Sequence, residues 1–576
     1  MVRLAAGDRS RRMALLRALL DMAAVEPDAR GPLGDVEAMW EALVGIQAQA
    51  PSEFDEIFML PQTGMWIAHT LRRLHAPSAE AVPLWADVGY VFNVALAVAI
   101  HAGIEMAAEV PCRDGNVMFP ALGMACLGGA GVSFARAHVD KARLRLTGAH
   151  GTWEAGLPVT GDVVGWWPLR QLECREPGYG LKVWLDDIDP YREMAEPVPP
   201  ERIPDADVRR WRELFTGSCA VLARSDPAIL PALAVGLKSI VPLPSAANDA
   251  ILSASSGDSS GSALISRPSD PVGLALTLVH EFQHIKLGGV LHLLALCSDD
   301  PAANLYAPWR DDPRPLSGLL QGTYAFLGVT GFWHGHLNAN AVPDVRLAAF
   351  EFALWREQTW RAVGTLRSHP GLTDLGRRFA DGMANHMQPW WDDRVAPDVL
   401  DAVWLAANDH RTAWRIRHLH ADSGYVAAVA DAVRHGWLAE LKDVPKPAVV
   451  PDNYASWTPQ RRFLVRRRVL RAGGSLTEPG QKVTGPEITS GLRVADEALV
   501  FGDHRSACDE YTRLLATDPS NGSAWVGLLL ALALQHKAAR QLLRCPELVV
   551  AVHQELSVGP AAPDPREVAC RLCGLG

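Results

Sequence analysis

The stretch that most constrains this chain is "LALTLVHEFQHIKL", residues 274–287. Its apolar residues demand burial, yet His280, Glu281 and His284 stand among them, and polar groups taken out of water need partners. A helix is the expected form. Asp270 can cap its first turn through a side-chain oxygen, and Pro271 fits the first helical position, where its missing N–H is not needed. Residues four apart lie one above the other on a helix, so His280 and His284 can offer two imidazole nitrogens to one metal ion. Glu281 then points to an adjacent side, near whatever water that ion binds.

Two histidines do not complete a metal site. The extended zinc-protease pattern requires a glycine and a further histidine downstream, at places that hold Leu287 and Val290 here, so that class is excluded. His292 lies about 12 Å along an unbroken helix from His284 and would need a break at Gly288 and Gly289 to return. It reads as a surface or packing histidine. Glu351, among apolar neighbours in "VRLAAFEFALWREQTWRAVGTL", is the leading third ligand, the alternative being a pairing with an arginine such as Arg356 or Arg310. His334 and His336 in "GFWHGHLNA" are further candidates, as is Gln321 in "LLQGTYAF", although an amide is a weak ligand.

Two imidazoles and a carboxylate serve two chemistries. With zinc, Glu281 acts as general base and the reaction is peptide hydrolysis. With iron(II), open positions remain for a keto acid and dioxygen, and the reaction is hydroxylation. Spacing alone does not choose.

With 576 residues the chain has room for several domains. Helical periodicity opens it in "RMALLRALLDMAA" and "DVEAMWEALVGIQ", whereas short apolar runs with Gly and Pro between about residues 110 and 190 read as strands. The Ser/Gly/Asp-rich segment from residue 244 to 270 reads as a loop or flexible hairpin. The expected class is mainly α with a small β region, α+β, with the HExxH site on a central helix. Four domains are expected: an N-terminal helical region with a small sheet over residues 1–200, a metal-binding catalytic domain over 201–440, a Pro- and Gly-rich linker over 441–490, and a tail over 491–576. Ala507, Tyr511, Pro519, Trp525 and Leu528 in that tail match positions of a tetratricopeptide unit, and an ordinary helical hairpin is the alternative. Either serves packing or docking.

Several function classes are excluded. The formal charge is −10, and the short basic cluster Arg461, Arg462, Arg466, Arg467 and Arg468 reads as a solvated helix face, so no nucleic-acid partner is expected. "YVFNVALAVAIHAGIEMAA" is interrupted by Asn93, His101 and Glu105 and reads as a buried helix, so no membrane partner is expected. The start lacks a signal-peptide core and the nine cysteines lack framework spacing, which fits a reducing cytoplasm. Cys570 and Cys573 form a lone CxxC pair without a second pair to complete a zinc site.

"LVHEFQHIKLGG", "LYAPWRDDPRPLSGLLQGTYAFLGVTGFWHGH" and "FEFALWR" resemble the HExxH-type peptide-modifying proteins of ribosomal peptide pathways. These include the metallohydrolase-like extension of radical SAM maturases in the FxSxx-tail system. The likeness spans roughly residues 10–420 and takes in "LPQTGMWIAHTLRRL", "PLWADVGYVFNVALAVAIHAG" and "VWLDDIDPYREM". It implies an iron(II)- and 2-oxoglutarate-dependent peptide β-hydroxylase, with His280 and His284 as iron ligands and a precursor peptide as substrate; the tail lies outside the likeness, and its helices are expected to offer a docking surface for a partner maturase. Glu281 then orients water or a ligand. The loop "YAPWRDDPRPL" would supply Arg310 and Arg314 to hold the distal carboxylate of the keto acid, their alternative being pairing with Asp311 and Asp312. Some active relatives are expected to carry His where this chain has Gln321. A zinc metallopeptidase and a catalytically silent binding scaffold are the competing readings.

Overall fold

The computed structural model describes every residue except 30, 34, 77–81, 160–162, 177–178, 195, 245–251, 256–259, 299, 303, 340–343, 437–440, 442, 451–459, 473–489, 559–561 and 576. The fold is α+β, and the chain divides into two compact units, Met1–Leu294 and Ala295–Gly576.

The first unit opens with helices α1 (Val2–Val25), α2 (Val36–Gln49), α3 (Pro51–Phe58), α4 (Pro61–His75), α5 (Leu84–Val88) and α6 (Tyr90–Ala102). Strands β1 (Met106–Arg113), β2 (Asn116–Phe119), β3 (Gly123–Cys126), β4 (Val132–Val139), β5 (Arg143–Gly148), β6 (Gly151–Gly156) and β7 (Trp166–Pro168) follow. They form an antiparallel sheet in the order β6-β5-β4-β1-β2-β3-β7. Alternation decides its faces: Ala135, Ala137, Val139, Leu144 and Leu146 are buried in one core with α1 to α4 and α6, while Arg136, Arg143 and Arg145 on the other face pair with Glu109 and Glu154. Residues Tyr90 to Ala99 of α6 are all buried. The stretch Leu84–Ala102 is long and apolar enough to cross a membrane, and 78% of its most apolar window is buried inside this unit.

A second sheet carries the chain onward through β8 (Arg170–Glu176), β9 (Tyr179–Leu185), α7 (Asp205–Ser225), α8 (Ile229–Gly236), β10 (Ser239–Leu243), β11 (Ser253–Ala254), β12 (Ser262–Ser266) and α9 (Pro271–Leu291). Its order is β11-β12-β10-β9-β8, with β10 parallel to both β9 and β12. A parallel pair needs a crossover, which α7 and α8 provide. This pairing places no boundary at residue 200, in contrast to the expected division, because strands on either side of that residue share one sheet. The disulfide Cys174–Cys219 also spans it, joining β8 to α7, although the sequence spacing shows no framework. In the Ser/Gly-rich segment the hairpin alternative holds: β12 is buried along its whole length and pairs with β11 in an antiparallel hairpin. Residues 245–251 and 256–259 of that segment lie outside the described residues.

The second unit contains α10 (Leu316–Asn338), α11 (Val345–Ser368), α12 (Asp374–Met387), α13 (Pro397–His418), α14 (Ser423–Arg434), α15 (Gln460–Ala472), α16 (Ser490–Phe501), α17 (His504–Thr517), α18 (Gly522–Gln535), α19 (Pro546–Leu556) and α20 (Pro565–Leu572). Helix α15 overturns two expectations. It lies inside the predicted linker, and its arginines do not form a solvated face. Arg461 is 3% exposed and ion-paired with Asp409 and Asp496, and Arg466 is paired with Glu351. Alternating Arg and Leu/Val look solvated in one dimension, but acids from α13, α16 and α11 neutralise them in three. The other linker stretches, 451–459 and 473–489, lie outside the described residues. In the tail, Ala507, Tyr511, Trp525 and Leu528 are fully buried, and the Trp525 indole N–H donates to the Pro519 carbonyl at 2.9 Å. A Cβ at Gly527 would sit 2.1 Å from the Tyr511 ring, so this glycine lets α18 close onto α17.

Candidate metal centre

The helix that carries the HExxH residues forms for local reasons. Asp270 caps it, its carboxylate accepting from the Gly273 N–H at 2.9 Å, and Pro271 occupies the first position, as expected from the sequence. Helix α9 then runs unbroken through Gly288 and Gly289 to Leu291. No break returns His292 to the site. Helix α7 approaches closely at Gly217, where a Cβ would lie 2.7 Å from Pro271, and α1, α8 and β12 complete the packing around α9.

On this helix the two imidazoles converge. His280 Nε2 and His284 Nε2 are 3.2 Å apart, with the ring planes inclined at 71°. Two nitrogens each about 2.1 Å from one ion are ~3.0 Å apart at a right angle and ~3.4 Å apart at the tetrahedral angle. The observed separation lies between these. Burial lowers both imidazoles to about 4, and for His284 the neighbouring His280 adds to the effect. Both rings are therefore neutral near neutral pH. Glu281 is 1% exposed, and its Oε2 has no hydrogen-bond partner among the described residues. An uncompensated buried carboxylate oxygen is costly, which makes it a place for a water or a ligand.

This donor pair suits a first-row divalent ion. Among the described residues, no group of three or more His, Cys, Asp or Glu side chains is placed to hold an ion together. Gln283, passed over in the sequence, borders the same helix face as His280, and its Oε1 is buried without a partner among the described residues. The signal that finds it is the one that singled out Glu281, a polar side chain in an apolar helix.

The remaining candidates belong to the second unit. Glu351 is 5% exposed and has both carboxylate oxygens engaged, one by Arg466 and one by the Trp355 indole N–H at 3.0 Å. Burial works to raise its carboxyl, but the arginine outweighs it and holds the group below the usual range. Pairing with an arginine is thus what the structure shows, with Arg466 in the place expected for Arg356 or Arg310. Arg310 Nε bonds Asp312 at 2.8 Å and Arg314 Nη1 bonds the same carboxylate at 3.2 Å. The loop that holds them is closed by paired backbone bonds between Leu305 and Arg314. His334 contacts Asp393 at 3.0 Å, His336 stacks on Phe332, and Gln321 is exposed on α10. Cys570 and Cys573 sit on and just after α20, with the Cys573 thiol turned to the Cys570 carbonyl.

No family model matches the chain, and no curated protein matches it.

Proposed function

We propose that this chain is an iron(II)- and 2-oxoglutarate-dependent hydroxylase that oxidises a β-carbon in a ribosomally made precursor peptide. The observation that carries the metal site is the pair of neutral imidazole nitrogens 3.2 Å apart on a buried helix. The resemblance of "LVHEFQHIKLGG" and "PWRDDPRPL" to peptide-modifying proteins supports the choice of reaction. When bound, iron(II) together with 2-oxoglutarate and dioxygen supplies the oxidising power that an unactivated C–H bond requires.

The chain's own residues have separate tasks. His280 and His284 hold the ion, and being neutral they lose no proton on binding it. Glu281 Oε2, lacking a partner among the described residues, orients a water or a ligand beside the imidazoles. Arg310 and Arg314 each give one bond to Asp312, the pairing that the sequence offers as the alternative to a keto-acid role. Helices α17 and α18, read from the sequence as a tetratricopeptide unit or an ordinary helical hairpin, would dock a partner maturase.

A second reading, a zinc peptidase, draws on the same Glu281 oxygen, because a general base also needs an unengaged carboxylate. One pair of assays separates them. The full chain with iron(II), ascorbate and 2-oxoglutarate should release succinate and should stop doing so when His280→Ala is introduced. Glu281→Gln should leave part of that turnover in place. Cleavage of a peptide library with zinc, no succinate with iron, and loss of cleavage in Glu281→Gln would transfer the chain to the peptidases.

A further inference from the structure

The first unit encloses a cavity of about 390 Å³ between α1, the end of α3, the turn from α8 into β10 and the later turns of α9. Leu4, Met59, Val235 and Ile285 give it apolar walls, and Lys238 borders it. Leu4, Met59 and Lys238 are half-buried and Val235 is 36% exposed, so these side chains keep open surface, while Ile285 is nearly closed off. For scale, a protein cavity of about 150 Å³ accommodates one benzene ring.

The charges on the wall cancel except for one. Asp8 and Asp55 both line the cavity, and each is matched by an arginine: Asp8 by Arg12 Nε at 3.1 Å, Asp55 by Arg9 Nε at 2.8 Å. Arg12 is held in turn by the Leu60 and Ser260 carbonyls, at 2.6 and 3.2 Å, and does not turn away from Asp8. Lys238 makes no hydrogen bond or ion pair among the described residues. Its stem passes over Gly261, where a Cβ would lie 3.3 Å from Lys238 Cγ, so the glycine gives it room. Burial holds the ammonium below the usual lysine range, and the charge of Glu56 works against that shift. Glu56 stands outside the wall, with a side chain 70% exposed and 3.1 Å from His101 Nε2. A cation partly withdrawn from water beside apolar surface is costly, and a counterion in the cavity would offset that cost.

The geometry points to a binding site for a straight-chain aliphatic monocarboxylate, its carboxylate on the Lys238 ammonium and its chain against Leu4, Met59, Val235 and Ile285. One negative charge answers the one cation left open, whereas a dianion would bring a second charge towards Asp8 and Asp55. No aromatic ring lines the cavity among the described residues, so the wall offers no stacking partner to a planar ligand. The volume suits a chain of about eight carbons, set against the six of benzene in less than half the space.

Calorimetric titration of the full chain with octanoate tests this, and binding with Kd below about 1 mM is expected. Octan-1-ol lacks the charge and octylamine reverses it, and each should bind at least about tenfold more weakly. Hexanoate should also bind about tenfold more weakly, because each buried CH₂ is worth about fourfold in affinity. Lys238→Met keeps the apolar stem: it should weaken octanoate at least about tenfold and leave octan-1-ol unchanged. His280→Ala should not alter octanoate affinity, which separates this cavity from the metal centre. No heat with octanoate, equal affinity for octanoate and octan-1-ol, or Lys238→Met that binds octanoate as tightly as the parent would overturn the proposal. A loss of octanoate binding in His280→Ala would overturn it too, by moving the carboxylate to the metal. The ligand series uses the unaltered protein, so the proposal stays open to refutation even where a variant fails to fold.

Discussion

Helices α15 and α9 both carry ionisable side chains into an apolar interior, and they differ in what meets those groups there. On α15, Arg461 is bracketed by Asp409 and Asp496, and the Tyr511 hydroxyl donates to Asp496 at 2.6 Å, while Arg466 is matched by Glu351. On α9, the two histidines lean on one another and Glu281 keeps an oxygen without a partner among the described residues. Buried charge that is answered from its own unit is explained by folding. The open oxygen of Glu281 is what the proposed metal site would use.

The contrast breaks most readily at Arg461. Replacing it by leucine strands Asp409 and Asp496 in a buried site, and breaking such a pair costs about 3–5 kcal/mol. Urea denaturation of Arg461→Leu should show a loss of that order, and a change within ~0.5 kcal/mol would mean that the network is not structural.

A smaller effect is expected at Glu351, where Arg466 is partly exposed and can turn to water. Glu351→Gln should cost about 1.5–3 kcal/mol through the weakened charged hydrogen bonds. Metal affinity should not change. A fall in metal affinity would contradict the reading of Glu351 as a residue engaged by Arg466 and Trp355 alone.

Asp189 is an intermediate case, buried and hydrogen-bonded yet beside a like charge. Burial, and then Asp186, push its carboxyl up to about 7. Because the folded chain holds this proton more tightly than the unfolded one, its contribution to stability is complete at acid pH and declines as pH rises from about 4 to about 7. Asp189→Asn should remove that decline: the difference in urea midpoint between variant and parent should shift in the variant's favour between pH 5 and pH 8. A constant difference would show that Asp189 is ionised throughout.

Much of this was legible in one dimension where the cause is local. The start of α9 at Asp270 and Pro271, the strands between 106 and 185, and the buried tail residues Tyr511 and Trp525 follow from capping, alternation and helical apolar spacing. What escaped depends on distant residues. Strand β12 hides in a serine-rich segment because its burial comes from β10 and α9, and α15 reads as a solvated stretch because its acids come from three other helices. Asn93 stands out in the sequence only as a poor membrane residue. Its unsatisfied oxygen is visible once α6 lies against β2.

The central claim is that His280 and His284 together hold an ion, and anaerobic titration with iron(II), and with cobalt(II) as a spectroscopic substitute, measures it directly. The parent chain should take up one equivalent. His280→Ala and His284→Ala should each lose more than the ~10–100-fold that changes behind a ligand cost, with their folding intact by circular dichroism. A parent chain that takes up no metal, or variants that bind it as well as the parent, would contradict the account.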